Sequence, residues 1–160
     1  MHHTEITNPQ PRRAVGLALI RDENGQVLLL DKIYTAGPER YKLAGGMALA
    51  GEATSVACQR HVLKETGLKL VPRGVLAVHY LPGSEETAEE YHIVFDCGTI
   101  RSDTELMLAS EFRGHRWADP GSLGDFVTPQ AQWCISVAME AGAGGPVRYL
   151  VGSPKVPIAA

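Results

Sequence analysis

Between Leu43 and Leu68 the chain reads LAGGMALAGEATSVACQRHVLKETGL, and here residue types and spacing allow chemistry. Gly45, Gly46 and Gly51 form a loop whose backbone can approach a ligand closely, because glycine carries no Cβ. Charged or titratable side chains follow at Glu52, Arg60, His61, Lys64 and Glu65. Gly46 and Gly51 have the G-x4-G spacing of a phosphate-binding loop, but such a loop continues with Lys and Ser/Thr to meet phosphates and magnesium. Glu52 and Ala53 stand there instead, and a carboxylate repels phosphate. That reading fails. The stretch from Thr54 to Thr66 lacks glycine and proline and predicts a helix, with Thr54 or Ser55 as N-cap and Gly67 just past its end. On a helix, positions i, i+3 and i+4 share a face. His61, Lys64 and Glu65 therefore project within an arc of about 100°.

Gly46-x5-Glu52-x7-Arg60, then Val62, Glu65, Gly67 and Leu68, resembles the Nudix box, G-x5-E-x7-R-E-U-x-E-E-x-G-U with U aliphatic. Seven of the nine specified positions agree over 23 residues. The resemblance implies a Nudix-like α/β/α sandwich, an α/β fold with a mixed β-sheet flanked by helices. It implies hydrolysis of a nucleoside diphosphate linked to another moiety, and hence a small-molecule nucleotide-type ligand. In the family three helix glutamates hold Mg²⁺, a hard cation that prefers oxygen ligands and neutralises phosphate charge. Many members form homodimers, so the resemblance allows one here. By the same resemblance, Glu52 and Arg60 form an ion pair that fixes the glycine loop to the helix. Glu111, in a stretch before the last helix, belongs to a loop that often faces the site.

His61 and Lys64 occupy two of the three glutamate positions, so the box is degenerate and an altered or weakened metal site is expected. An ammonium brings like charge toward a cation, and imidazole suits zinc or manganese better than magnesium. Lys64 can instead pair with Glu65 or Glu52. The expected site residues are Glu65, His61 and Glu111 for catalysis and Gly45, Gly46, Arg60 and Lys64 for substrate. Glu65 and Glu52 are the expected ligands of Mg²⁺ or Mn²⁺, if a metal is held at all. Three outcomes stay open. Hydrolysis persists with carboxylates supplied from Glu85, Glu86, Glu89, Glu90 or Glu111 and with His61 as general base. Lys64 contacts the diphosphate in place of metal. Or catalysis is lost, leaving a non-catalytic nucleotide- or ligand-binding regulatory module.

The elements that must position these groups are legible in outline. AVGLALI (14–20) and QVLLLDK (26–32) flank a turn ending in Asn24-Gly25 and predict a β-hairpin. A short extended piece at 41–43 precedes the glycine loop. Segments 74–81 and 90–100 predict two strands around an acidic loop, and 115–117 a third. Residues 128–141, with Pro129 at the first helical position, predict a second helix. Residues 1–12 are expected as a flexible N-terminal arm, 13–141 as the domain, and 142–160 as a C-terminal tail, with 147–151 extended.

The remaining candidates have plainer readings. Tyr34, Tyr41 and Trp117 have rings that suit stacking or packing equally. His79 and His92 sit in strands and read as structural; His115 reads as a strand-edge residue. Arg12, Arg13 and Arg40 read as surface groups. The chain has 160 residues and a net charge of −3, with no basic stripe, so nucleic acid is excluded as partner. No apolar run approaches the roughly 20 residues of a membrane span, and the stretch MHHTEITNPQPRR lacks the apolar segment expected of a signal peptide. Cys58, Cys97 and Cys134 are widely spaced, without a CxxC pair, which predicts free thiols in a soluble cytoplasmic domain.

Overall fold

A computed structural model describes residues 11–142 and 144–154. The N-terminal ten residues and the last six lie outside the described residues, so the expected arm is seen only at Pro11 and Arg12. The strands are β1 (Arg12–Arg21), β2 (Val27–Lys32), β3 (Tyr41–Lys42), β4 (Gly45–Met47), β5 (Val75–Leu81), β6 (Glu89–Thr99), β7 (Phe112–Ala118) and β8 (Arg148–Val151). The helices are α1 (Thr54–Thr66) and α2 (Pro129–Ala141). All eight strands join one mixed sheet in the order β3-β2-β1-β6-β5-β8, with β4 paired to β1 and β7 to β2.

Both faces of this sheet are covered, which explains why β1 and β2 are near-continuous apolar runs rather than alternating ones. Ala18, Ile20, Leu28, Leu30, Phe95 and Cys97 pack with Cys58 and Val62 of α1. Leu19, Val27, Leu29, Ala77 and Val94 pack on the other face with Cys134, Ile135 and Ala138 of α2. The three cysteines are free and buried. Among the described residues no helix is long and apolar enough to cross a membrane.

α1 spans the residues the sequence predicts, and Gly67 ends it at φ 78° with its N–H on the Leu63 carbonyl. Its N-cap position, however, is Ala53 rather than Thr54 or Ser55, and no side chain caps it. In α2 the Thr128 hydroxyl accepts from Ala131 N–H, with Pro129 following. The β1–β2 connection is a turn in which Asp22 Oδ1 accepts from Asn24 and Gln26 N–H. Yet the two strands pair only at Arg21↔Val27. Beyond that point β4 takes the β1 edge and β7 and β3 take β2, so the predicted hairpin opens into a splay.

That splay brings the glycine loop alongside β1. Gly45 lies opposite Leu17 at φ 129°, and a Cβ there would collide with the Gly16 carbonyl. Gly16 in turn allows α1 to close on the sheet, because a Cβ there would strike the Thr54 carbonyl and Cys58. The segment read as tail contributes β8, paired parallel to β5. Arg12, read as arm, opens β1. Replacing Gly16 with alanine is expected to destabilise the fold by about 2–3 kcal/mol through overpacking against the helix backbone. Thermal unfolding followed by circular dichroism checks it, and an unchanged midpoint would show that α1 can shift at no cost.

Candidate functional site

Glu65 is the buried charge at the centre of this region, 4% exposed. It leaves α1 toward the glycine loop, where its Oε1 accepts from Gly45 N–H at 2.8 Å. Its Oε2 accepts from Lys42 Nζ at 2.8 Å. Lys42 Nζ also donates to the Gly45 carbonyl at 2.7 Å and lies 5.7 Å from the Phe112 ring centroid. The ammonium therefore bridges a helix carboxylate and a loop carbonyl. Lys42 is held there because β3 pairs with β2 at Leu30↔Lys42. The loop leading into β3 is itself pinned by Arg40, which donates two hydrogen bonds to Asp31 at 2.6 and 2.7 Å.

Glu52 and Arg60 lock the other end of the glycine loop. Arg60 donates through Nε and Nη2 to both Glu52 oxygens, each at 2.9 Å. Leu49 N–H adds a third hydrogen bond to this carboxylate at 3.1 Å. The Arg60 hydrogen bond first, then the Leu49 N–H, holds the Glu52 carboxyl down at about 2. His61 packs behind the loop rather than in it. Its ring lies against Gly46, leaving no room for a Cβ, and Nε2 sits 3.1 Å from the Met47 carbonyl. Among the described residues Lys32, Lys64 and Glu111 take part in no ion pair.

Two pockets meet at Lys42. The first, about 220 Å³, carries four charged side chains, Lys32, Lys42, Glu65 and Glu111, around Tyr34, Thr35 and Phe112. The second, about 350 Å³, lies between the sheet and α2 and is mostly apolar, with Leu17, Tyr41, Leu43, Gly45 and Gly46 among its walls. Besides Lys42 and the Tyr41 hydroxyl, its polar groups are His79, Glu90, His92, Thr128 and Gln130. His92 Nε2 lies 2.7 Å from Glu90 Oε2. Burial pushes the His79 imidazole below its ordinary range, opposed by the hydrogen bond that Nε2–H donates to the Gly152 carbonyl at 2.6 Å.

The expected residues therefore divide. Glu65 and Glu111 share the smaller, lysine-bearing pocket, and Gly45 and Gly46 line the larger one. His61, Arg60, Lys64 and Glu52 line neither. Three helix positions do share an arc, but the sheet covers only its Glu65 side, leaving His61 half-buried and Lys64 exposed. Lys64 does not pair with Glu65 or Glu52, because Lys42 and Arg60 hold those carboxylates. Tyr41 lines the apolar pocket, edge-on to Phe126 at 5.5 Å, whereas Trp117 packs in the core and donates to the Ser102 carbonyl. Arg12 and Glu89 are hydrogen-bonded to each other, and Glu85 and Glu86 stay in the outer acidic loop. Lys42 was not among the sequence candidates. Its one signal is a charge inside the apolar segment YKLAGG, which must find a partner once the strand is covered.

The NUDIX domain family model matches residues 10–135. The chain belongs to this family. Among solved structures it is similar to a MutT protein from Methanosarcina mazei, at 24% identity and TM-score 0.68, with 82% of this chain and 95% of that one covered. It is also similar to a UDP-X diphosphatase, at 17% identity and TM-score 0.70, covering 92% and 72%. An ADP-ribose pyrophosphatase from Streptococcus suis shares 16% identity at TM-score 0.61, covering 86% and 98%. No curated protein sequence matches. These likenesses establish the fold.

Hydrolases of this family generally use divalent metals, and Mg²⁺ takes six oxygen ligands in near-ideal octahedral geometry. The donors here do not fit such an ion. Both Glu65 oxygens are engaged, Glu52 is held by Arg60 outside the pocket, and Glu111 is the remaining carboxylate of the pocket. Among the described residues no group of three or more His, Cys, Asp or Glu side chains could hold a metal.

The Glu52–Arg60 lock predicts a pH effect. A carboxyl depressed in the folded state stabilises the fold above its ordinary pKa of 4.5 and loses that contribution as pH falls toward about 2. Carboxyl-carbon NMR should place the Glu52 midpoint near 2 and move it toward 4.5 in Arg60→Met. A wild-type midpoint near 4.5 contradicts the bidentate pair.

Proposed function

We propose that the chain binds a nucleoside diphosphate linked to a second group and hydrolyses the diphosphate, using a site altered by His61 and Lys64. The observation that carries this reading is the meeting of an apolar and a lysine-bearing pocket at Lys42. A nucleoside has flat apolar faces and polar edges, which suits a pocket of Leu17, Tyr41 and Leu43 with Gln130, Glu90 and His92 at its polar points. Gly45 and Gly46 let backbone come close to the ligand there. The diphosphate then falls beside Lys42 and Lys32. Hydrolysis adds one water across the P–O–P link and releases a nucleoside monophosphate and a phosphorylated second group. Glu111, without an ion-pair partner among the described residues, accepts the proton of the attacking water. Three buried free thiols are in keeping with a reducing cytoplasm.

A second reading, a ligand-binding module without turnover, is favoured by one observation. Both oxygens of Glu65 are already hydrogen-bonded within the protein, one of them to an ammonium, which lowers the capacity of this carboxylate as base or ligand. ADP-ribose and a UDP-linked sugar, each assayed with Mg²⁺, with Mn²⁺ and with EDTA, separate the two. Hydrolysis predicts nucleoside monophosphate release that falls about 100-fold or more in Glu111→Gln. No release, with a raised unfolding temperature in the presence of the same compounds, selects the binding module.

A further inference from the structure

We propose that the Lys42 ammonium is a tethered cation seated between Glu65 and the Gly45 carbonyl, and that with Lys32 it forms a diphosphate subsite that works without a divalent ion. This rests on the diphosphate reading above and adds the identity of the positive charge that meets the phosphates.

The seat has the chemistry of a cation site. An anionic oxygen of Glu65 lies 2.8 Å from Nζ and a neutral carbonyl oxygen of Gly45 lies 2.7 Å away. Hard cations take such oxygens, and here an ammonium has them. A lysine ammonium carries three donors, and these two contacts use two. A divalent ion entering this seat would have to displace Lys42 and find further oxygen ligands. At the positions that carry glutamate in the box, this chain has an imidazole and a second ammonium, and His61 is turned to the Met47 carbonyl. The protein has thus moved the positive charge from a dissociable ion to a side chain.

Three features of the pocket point to an anion as occupant. Lys32 lines it without an ion-pair partner among the described residues. Burial first, then the like charge of Lys42, pulls the Lys32 ammonium below the ordinary lysine range, with Glu39 opposing. An oxyanion between two ammonium groups relieves that repulsion, because each then gains an opposite charge. Thr35 Oγ1, on the same wall, is buried with no hydrogen-bond partner, and a buried hydroxyl left unpaired is unfavourable unless a ligand completes it. A diphosphate, with several charged oxygens, can engage all three at once.

Inorganic pyrophosphate, titrated calorimetrically into the full chain in EDTA and again in Mg²⁺, provides the test. Affinity in EDTA should match that in Mg²⁺ within about twofold. It should fall about tenfold or more in Lys32→Met, a factor equal to roughly 1.4 kcal/mol. Lys42→Met alone leaves the buried Glu65 charge unpaired and endangers the fold. The double variant Lys42→Met/Glu65→Gln removes both charges and should likewise lose pyrophosphate. Mn²⁺ added to the free protein should show no stoichiometric bound ion by electron paramagnetic resonance. Pyrophosphate binding that requires Mg²⁺, a stoichiometric Mn²⁺ site, or wild-type affinity in both variants would overturn the proposal. The two readings fail separately. Metal-free pyrophosphate binding without nucleotide turnover sinks the hydrolase and keeps the tethered cation, whereas turnover with Mg²⁺-dependent binding does the reverse.

Discussion

A carboxylate taken out of water must find a positive or hydrogen-bonding partner, and Glu65 is the carboxylate that imposes this demand here. Its two oxygens draw together three separate pieces of chain: Lys42 on β3, Gly45 at the start of β4, and the last turn of α1. Removing one partner of such a pair destabilises by about 3–5 kcal/mol, because the other charge stays buried and alone. The position of the glycine loop, the register of β3 and the depth of α1 are therefore set against one another through a single side chain. Gly45 can serve only because it lacks a Cβ at the point where β4 meets β1.

The rest of the architecture gives that corner two different neighbourhoods. The sheet buries both its faces, α1 on one side and α2 on the other, and β3 stands at one end of its strand order while β4 pairs with β1 beneath α1. Lys42, on β3, borders both the charged and the apolar pocket. A ligand with one charged and one apolar half meets a surface divided in the same way. The smaller pocket brings two ammonium groups and two carboxylates together, whereas burial in the larger one lowers the affinity of the His79 imidazole for a proton.

Much of this could be read in the sequence where local rules dominate. α1 was legible to the residue at its C-terminus, because Gly67 supplies the left-handed backbone that ends a helix. The α/β class and the mixed sheet followed from the box and its flanking strands. What escaped was set by contacts between distant segments. Lys42 is a lone charge in a two-residue strand, and no spacing pattern marks it. The β1–β2 turn reads as a tight hairpin, but the competition of β4 for the same edge is invisible until the glycine loop is seen lying on Gly16. His61 and Lys64 share a helical arc with Glu65, yet periodicity cannot say which third of that arc the sheet will cover.

The strand β8 adds a consequence about chain entropy. The corner of Lys42, Gly45 and Glu65 closes a loop of 23 residues, whereas the His79 contact to Gly152 closes one of 73. Closure entropy grows only with the logarithm of loop length, so the longer loop costs about 1 kcal/mol more than the shorter. That is the strength of one ordinary hydrogen bond. The chain can therefore keep its charged corner within one compact stretch and take a supporting strand for the apolar pocket from far downstream. In such a layout the segment beside the pocket can change in length or sequence with little effect on the assembly of the corner.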